Sequence, residues 1–279
     1  MKRMAEFLAA SLVSMVALAQ APPQDPPSRP APPQIDDSRN LPRLFWDDAV
    51  TLAQAPGDWT SRQWGELALG VAAVAVVGVT LDRTVDQAVV RNRKPSWDSP
   101  AKAVAQLGSV GGWVLVGGGY LGSELLGKDE ARSMWVDAGI ATVLSQVAIY
   151  PVKMAVGRVR PADGQGNDAF RPFSGNDAFP SGHTTQAFAI ASAISMHADN
   201  PWVGGAAYGV AGLVGLSRLE TRDHFAADVL GGALVGTTIG RAVVRIDQKR
   251  RAAAGSRVEL DFHPLWTPDF RGLQLVAKF

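Results

Sequence analysis

Three short segments of the chain combine cations, histidines and small residues at spacings that suit the chemistry of phosphate. In the first, residues 153–161, Lys153 and Arg160 are seven positions apart, so a helix would carry both on one face, where they could converge on a single anion. Pro161 would end that helix. Taken alone, the segment favours a plainer interpretation, a basic flank of an apolar helix with its cations in solvent.

The second segment, residues 179–185, contains the tetrapeptide Pro180-Ser181-Gly182-His183 directly before an apolar helix. Free backbone N–H groups and the positive end of the helix dipole can hold phosphate oxygens near Ser181 and Gly182. His183 would stand at the rim of this anion site and could donate a proton to a leaving oxygen. A serine N-cap beside an incidental histidine would give the same tetrapeptide.

The third segment, residues 217–228, places His224 and Asp228 four positions apart. On a helix, the carboxylate would accept the second N–H of the imidazole, which fixes the tautomer and leaves one ring nitrogen free to attack. Arg218 adds a permanent cation with a planar fork that suits phosphate. A histidine and an aspartate at this spacing also form a common surface contact. Together, the three segments supply what phosphoryl transfer without a metal requires.

The composition of the chain excludes several other kinds of chemistry. Its 279 residues include no cysteine and four histidines, which rules out a disulfide scaffold, a cysteine nucleophile, a thiolate zinc site and an iron–sulfur cluster. The 27 basic and 26 acidic residues leave a formal net charge of +1, so the global charge does not favour a nucleic-acid partner. We therefore predict a site without metal or cofactor and a protein without a nucleic-acid partner.

The order and spacing of the three segments resemble the signature of the type 2 phosphatidic acid phosphatase and vanadium haloperoxidase superfamily. That signature is Lys, six residues, Arg-Pro, then Pro-Ser-Gly-His, then Ser-Arg, five residues, His, three residues, Asp, and every position is present here. The resemblance covers residues 44–250. It implies that His224 is a nucleophile that forms a phosphohistidine, that Asp228 orients it and that His183 is the general acid. It also implies that five residues bind the phosphate oxygens: Lys153, Arg160, Ser181, Gly182 through its amide, and Arg218.

Two local features stand outside that signature. Many members of the superfamily carry a glycine before the nucleophilic histidine and Pro-Ser after it, whereas this chain has Thr-Arg-Asp at residues 221–223 and Ala-Ala at residues 226–227. This departure bears on substrate preference more than on the reaction. The pentapeptide GNDAF occurs twice, at residues 166–170 and 175–179, where it predicts a flexible surface loop or a loop that selects substrate or closes over the site.

The two ends of the chain differ in composition from its centre. Lys2 and Arg3 precede an apolar stretch with a small-x-small pattern at residues 17–19, which is typical of a secretory signal peptide. A proline-rich stretch follows and predicts an extended linker, and the last residues alternate apolar and polar side chains as in a β-hairpin. The predicted parts are a signal peptide at 1–19, a linker at 20–43, a helical phosphatase domain at 44–250 and a C-terminal β-hairpin extension at 251–279.

The central part predicts an all-α fold, a bundle of about six apolar helices of the kind that the superfamily resemblance implies, followed by the short hairpin. Six stretches free of ionisable residues have 12 to 21 residues, and only two reach the roughly 17 that a membrane span needs. If an exported amino terminus were followed by three full spans, the segments from Lys153 onward would lie in the cytoplasm. Either one of those helices does not cross, or the bundle is soluble or peripheral.

These features predict a metal-independent phosphatase that hydrolyses phosphate monoesters or pyrophosphates, with lipid phosphates as substrates if the helices meet a bilayer. A soluble periplasmic, nonspecific acid phosphatase is the alternative if the bundle is soluble, and a vanadate-dependent haloperoxidase fits less well because such chains are usually much longer. The expected partners are a phosphorylated lipid or a small phosphate ester, together with the membrane. The expected location is periplasmic or membrane-associated, with the active site on the periplasmic side.

Overall fold

A computed structural model describes residues 40–255, 259–267 and 270–278 of the chain. The predicted signal peptide and residues 20–39 of the predicted linker lie outside the described residues. The body of the described chain is helical, and the all-α prediction for it is confirmed. The elements are α1 Leu41–Gln54, α2 Ser61–Thr80, α3 Asp82–Asn92, α4 Asp98–Gln106, α5 Val110–Leu125, α6 Asp129–Val156, α7 Gly182–His197, α8 Pro201–Glu220, α9 Ala226–Gly255, β1 Glu259–Thr267 and β2 Phe270–Lys278.

Six of the helices, α2 and α5 to α9, alternate in direction and form an antiparallel bundle. Helix α2 ends beside the start of α9, where Gly78 lies against Ala227. Helix α6 starts beside the end of α9, where Arg251 donates a hydrogen bond to the Ser133 hydroxyl. Helices α3 and α4 stay at the end of the bundle where α7 and α9 begin, and α1 packs at the opposite end.

Helices α7 and α9 approach each other closely because α9 carries glycines one turn apart. A Cβ added at Gly232, Gly236 or Gly240 would lie closer than 3.0 Å to atoms of residues 181–192. A larger residue at any of these positions would push the two helices apart. The glycines therefore hold the start of α7 against the start of α9, and the two predicted catalytic histidines lie at these two starts.

The lengths of the helices differ from those of the apolar stretches in the sequence. Residues 103–123, expected to be long enough for a span, are divided between α4 and α5 by a turn at Gly108, where an added Cβ would collide with the backbone of His183. Helices α2, α6 and α9 instead continue beyond their apolar stretches into charged flanks. In the described part of the chain, the helices that have the length and composition to cross a membrane are Ser61–Thr80, Asp129–Val156 and Ala226–Ala253.

The chain continues after α9 into the two strands, which pair antiparallel along nine residues each. Helix α1 begins at Leu41 and α9 ends at Gly255. Helical structure therefore extends a few residues beyond residues 44 and 250, the predicted limits of the helical domain.

Candidate active site

The predicted site residues meet at the end of the bundle where α7 and α9 begin. A cavity of about 320 Å³ opens there. Six of the eight predicted residues line it: Lys153, Arg160, Gly182, His183, Arg218 and His224. The other two, Ser181 and Asp228, are fully buried. The cavity is also lined by residues that were not predicted: Gly108, Ser109, Gln146, Asp177 and Gln186.

Lys153 and Arg160 reach the cavity by a different route from the predicted one. Helix α6 ends at Val156 because Gly157 adopts a left-handed conformation with φ of 55°, where an added Cβ would also collide with a loop carbonyl. Arg160 therefore lies in an extended segment and not on the helix of Lys153. The predictions that one helix carries both cations and that Pro161 ends it are wrong.

The start of α7 forms one wall of the cavity. Gly182 and His183 are the first residues of the helix and line the cavity. Ser181 is the N-cap residue, but its hydroxyl accepts a hydrogen bond from the hydroxyl of Thr184 at 3.0 Å. The N–H of Ser181 donates to the carbonyl of Asp228 at 2.9 Å. Ser181 thus joins the starts of α7 and α9 from inside the protein.

His224 is held by a carbonyl group and not by the predicted carboxylate. Its Nδ1 is 2.7 Å from the carbonyl oxygen of Ala178, whereas Oδ2 of Asp228 is 3.7 Å from the same nitrogen. The predicted hydrogen bond within one helix does not form because α9 begins at Ala226, after the histidine. A carbonyl oxygen can only accept, so Nδ1 carries a hydrogen, and in the neutral ring the lone pair is on Nε2.

Asp228 instead connects His224 to a buried ion pair. One carboxylate oxygen accepts a hydrogen bond from the N–H of Phe225 at 2.8 Å, and the other accepts one from Nη1 of Arg158 at 2.7 Å. The Nη2 of Arg158 donates to Asp82 on α3 at 2.5 Å. Asp228 therefore acts on the histidine through the adjoining backbone and through its negative charge.

Arg158 was not among the predicted site residues. Residues two apart lie on the same side of a regular strand, but this segment is not one: Arg160 lines the cavity, whereas Arg158 is buried in the core. There its guanidinium lies 5.4 Å from the ring centre of Phe170 and 4.4 Å from that of Phe225. Gly157 is a sequence signal that the helix ends before Arg158, but no sequence pattern indicates that Arg158 points into the core.

Two carboxylates that were also not predicted pair with the cations of the cavity. Asp177 accepts a hydrogen bond from Nη2 of Arg160 at 2.8 Å, and its other oxygen is 3.7 Å from Nζ of Lys153. Asp223 has one oxygen 2.8 Å from Nη2 of Arg218 and the other 3.5 Å from Nη1 of Arg160. Burial opposes ionisation of Asp177, but the hydrogen bond from Arg160 and the positive charges nearby outweigh it and lower the pKa of this carboxyl.

The two GNDAF copies lie on either side of the extended segment. The N–H of Val159 donates to a carbonyl of the first copy at 3.0 Å, and the N–H of Ala178 in the second copy donates to the carbonyl of Arg158 at 3.1 Å. Asp177 of the second copy lines the cavity, whereas its counterpart in the first copy, Asp168, is exposed. The repeat therefore frames the cations, and its second copy belongs to the site.

His183 occupies an environment that favours its neutral form. Burial, with the positive charge of Arg218 and the nearby His224, lowers the pKa of His183 from 6.5 to about 4. A bound phosphate would have the opposite effect, since a negative charge beside the ring stabilises the protonated form. The protonation of His183 is therefore coupled to the presence of an anion in the cavity.

The central part of the chain matches a known family. Residues 135–252 match the model of the PAP2 superfamily. The chain is 35% identical over 127 residues to the lipid A 1-phosphatase of Porphyromonas gingivalis, which covers 44% of this chain and 25% of that protein. It is 31% identical over 116 residues to the undecaprenyl-diphosphatase BcrC of Bacillus subtilis, which covers 42% of this chain and 59% of that protein.

Among solved structures, LpxE of Aquifex aeolicus is 24% identical to this chain, with a TM-score of 0.46 over 60% of this chain and 96% of that chain. The chain spans 25% and 59% of the lengths of the two curated relatives. All eight predicted site residues fall within the segment that the family model matches, whereas Asp82, Gly108 and Ser109 precede it. Residues 135–252 of the chain are therefore similar to the PAP2 superfamily, and this similarity includes all of the predicted site residues.

Proposed function

We propose that the protein is a phosphatase that hydrolyses monoesters or diphosphates of lipids, without a metal and through a phosphohistidine on His224. The observation that carries this proposal is the contact of 2.7 Å between Nδ1 of His224 and the carbonyl of Ala178. It leaves the Nε2 lone pair on a histidine that lines a cavity together with three cations, Lys153, Arg160 and Arg218. An uncharged nucleophile beside positive charges suits attack on the phosphorus of an anion.

In the first step, Nε2 of His224 attacks the phosphorus in line with the leaving group. A P–N bond forms and the bond from phosphorus to the leaving oxygen breaks, while the three cations of the cavity stabilise the charge on the remaining oxygens. His183 gives a proton to the leaving oxygen. Because His183 is neutral in the free protein at neutral pH, it takes up that proton when the substrate binds.

In the second step, water attacks the same phosphorus and the P–N bond breaks. His183, now neutral, accepts a proton from the water, and inorganic phosphate leaves as His224 is regenerated. The imidazole carries positive charge while it is phosphorylated. Asp228, with an oxygen 3.7 Å from Nδ1, stabilises that charge although it does not hydrogen bond to the ring.

The exposed apolar surface of the bundle favours a lipid substrate over a small soluble ester. Helix α2 has no buried residue along its 20 positions, and Leu69 and Val79 are 72% and 84% exposed. In water these apolar side chains would be exposed to solvent, whereas in a bilayer they would contact lipid chains. The names of the two curated relatives, lipid A 1-phosphatase and undecaprenyl-diphosphatase, agree with a substrate of this class.

The alternation of the helices limits where the site can face. The site lies at one end of the bundle and α1 at the other, so the two lie on opposite sides of the membrane if all six helices cross. A cleaved signal peptide at 1–19 would then leave α1 outside and the site in the cytoplasm. Our proposal is a periplasmic site with α1 on the cytoplasmic side, in which case residues 1–19 are not cleaved as an export signal.

The division into linker, phosphatase domain and appended hairpin stays a prediction.

A substrate panel tests the proposed function. The full chain in detergent is given lipid monophosphates, lipid diphosphates and small phosphate esters, each with and without a chelator, and phosphate release is measured. We expect release from the lipid substrates in the presence of chelator. A need for a divalent ion would contradict the metal-free site, a preference for small esters would favour the acid phosphatase, and halide oxidation dependent on vanadate and peroxide, without phosphate release, would favour the haloperoxidase.

A further inference from the structure

The cavity contains its own anions. Asp177 pairs with Lys153 and Arg160, and Asp223 pairs with Arg160 and Arg218. These three cations are the ones that would hold the phosphoryl oxygens in the proposed function. Both carboxylates are on connecting segments, one in the loop between α6 and α7 and the other in the turn between α8 and α9.

The two carboxylates use the donors that a phosphate would need. Guanidinium groups bind carboxylate and phosphate oxygens through the same charged N–H donors. Arg160 directs Nη2 at Asp177 and Nη1 at Asp223, so both of its terminal nitrogens are engaged. A phosphate that takes these same donors must therefore displace both carboxylates.

The carboxylates also reduce the charge that an incoming anion meets. Three cations and two carboxylates leave one net positive charge among these five groups. His183 adds no charge at neutral pH, since its pKa in the free protein is about 4. The site therefore attracts a free anion far less than its three cations alone would.

We propose that Asp177 and Asp223 determine the specificity of the site by competing with small anions for its cations. The inference rests on the proposed function. Inorganic phosphate has only its charge with which to displace the carboxylates, whereas a lipid phosphate gains further binding energy from its apolar chains. The return of the carboxylates to the cations also helps the product phosphate to leave.

Both carboxylates stand outside the fixed positions of the three-part signature. Asp223 stands directly before His224, within the three residues that depart from the superfamily pattern, and Asp177 belongs to the second GNDAF copy. The first copy provides a matched control. Its Asp168 has the same sequence neighbours and the same charge but is exposed.

The test is the affinity of the full-length protein in detergent for inorganic phosphate, measured by calorimetry. The test variants are Asp177→Asn and Asp223→Asn. Asp168→Asn is a control that removes the same charge from a position outside the cavity. Asp177→Glu is a control that changes the side chain at position 177 but keeps its charge. We expect each of the first two to bind phosphate about tenfold more tightly, since a competing charge beside an arginine is removed. Asp168→Asn and Asp177→Glu should bind phosphate within about twofold of the parent protein.

Two results would overturn the proposal. One is that Asp177→Asn and Asp223→Asn bind phosphate no more tightly than the parent protein does, while their thermal unfolding shows that both variants are folded. This would mean that the carboxylates only position the cations. The other is an equal gain in Asp168→Asn, which would mean that general charge sets the affinity.

The binding measurement separates this inference from the proposed function. Calorimetry with inorganic phosphate requires no turnover, so it reports on the carboxylates even if no lipid phosphate is hydrolysed. Tighter binding in the variants without phosphate release from any substrate would reject the phosphatase and leave the competition intact. Phosphate release together with unchanged binding would reject the competition and leave the phosphatase intact.

Discussion

The two ends of the helix bundle are both polar, but they use the same residue types differently. At the site end, Oδ2 of Asp228 is 3.7 Å from Nδ1 of His224. At the α1 end, Oδ2 of Asp137 is 2.8 Å from Nε2 of His197, so the closer histidine–aspartate pair lies away from the cavity. Proximity of these two residue types would therefore select the wrong histidine as the nucleophile.

The partners of the arginines distinguish the two ends. At the α1 end, Arg250 pairs with Asp48 and Arg251 pairs with Asp247, and both carboxylates are buried. The Arg250–Asp48 pair ties α1 to α9, and the Arg251–Asp247 pair lies within α9, where Arg251 also donates to Ser133 of α6. At the site end, the cations line a cavity and their partners, Asp177 and Asp223, come from connecting segments. The α1 end is thus built to hold helices together, and the site end to exchange one anion for another.

Replacing the histidine at each end should reveal the largest difference between the two ends, because one substitution should affect phosphate release and the other stability. His224→Ala should lower phosphate release by about 10³-fold or more, because the attacking nitrogen is removed. His197→Ala should leave phosphate release within a few-fold of the parent and lower the free energy of unfolding by about 1–3 kcal/mol, since Asp137 loses a buried partner. Phosphate release and thermal unfolding of both variants measure the two effects.

Retained turnover in His224→Ala would show that another residue attacks. A loss of turnover in His197→Ala without a loss of stability would show that the α1 end takes part in the reaction, and the distinction between the two ends would fail.

The second expected effect concerns the buried ion pair behind His224. Asp82→Asn removes one partner of Arg158, which is 3% exposed, and should cost about 3–5 kcal/mol of stability. It should also lower kcat more than it raises KM, because Arg158 holds Asp228 and Asp228 holds the backbone beside the nucleophile.

The matched control is Asp86→Asn, one turn later on α3. Asp86 pairs with Arg222 at 2.8 Å in a partly exposed position, so its loss should cost about 1 kcal/mol or less. Equal effects of the two substitutions on stability and on kcat would show that Arg158 does not transmit the position of α3 to the nucleophile. Thermal unfolding and steady-state kinetics decide between these outcomes.

The sequence identified which residues meet at the site better than it identified how they meet. Phosphate chemistry accounts for the residue types, namely cations, a glycine at a helix start and histidines, and the resemblance to the superfamily signature accounts for their order, so both could be recognised without coordinates. The conformation between them could not. The left-handed Gly157 ends α6 early, and the Ala178 carbonyl replaces the expected carboxylate on His224, because both depend on loop contacts that have no sequence period.

Contacts from outside the three motifs were likewise beyond the sequence. Asp82 and Arg158 are 76 positions apart, and no local pattern links them. The helix lengths failed for a different reason. Charged residues end the apolar stretches of the sequence, whereas α6 continues through its polar start because residues such as Ser133 and Asp137 are buried and have partners within the protein.

A smaller effect is expected in the pH dependence of turnover. The pKa of His183 is about 4 in the free protein, and a bound phosphate raises it. Since kcat/KM reports on the free protein and kcat on the substrate complex, the basic limb of the kcat profile should lie at higher pH than that of kcat/KM. Coincident limbs, or a separation that persists in His183→Gln, would exclude His183 as the general acid.

The same shift affects stability. Because the folded-state pKa of His183 is below the unfolded value of 6.5, the unfolded chain binds the proton first as the pH falls. The folded state therefore loses stability between pH 6.5 and pH 4, and His183→Gln should show a smaller loss over this range in thermal unfolding.

The smallest effect on activity is expected from a test of which side each end faces. The chain contains no cysteine, so Gln54→Cys at the end of α1 and Asp168→Cys near the site, both at exposed positions, would each carry the only thiol and should leave turnover unchanged. With a membrane-impermeant maleimide on intact cells, a periplasmic site predicts labelling of Asp168→Cys at once and of Gln54→Cys only after permeabilisation. The reverse pattern would place the site in the cytoplasm, as a cleaved signal peptide requires. Labelling of both thiols in intact cells would show that the bundle does not cross the membrane, and the exposed surface of α2 would then need a protein partner to cover it.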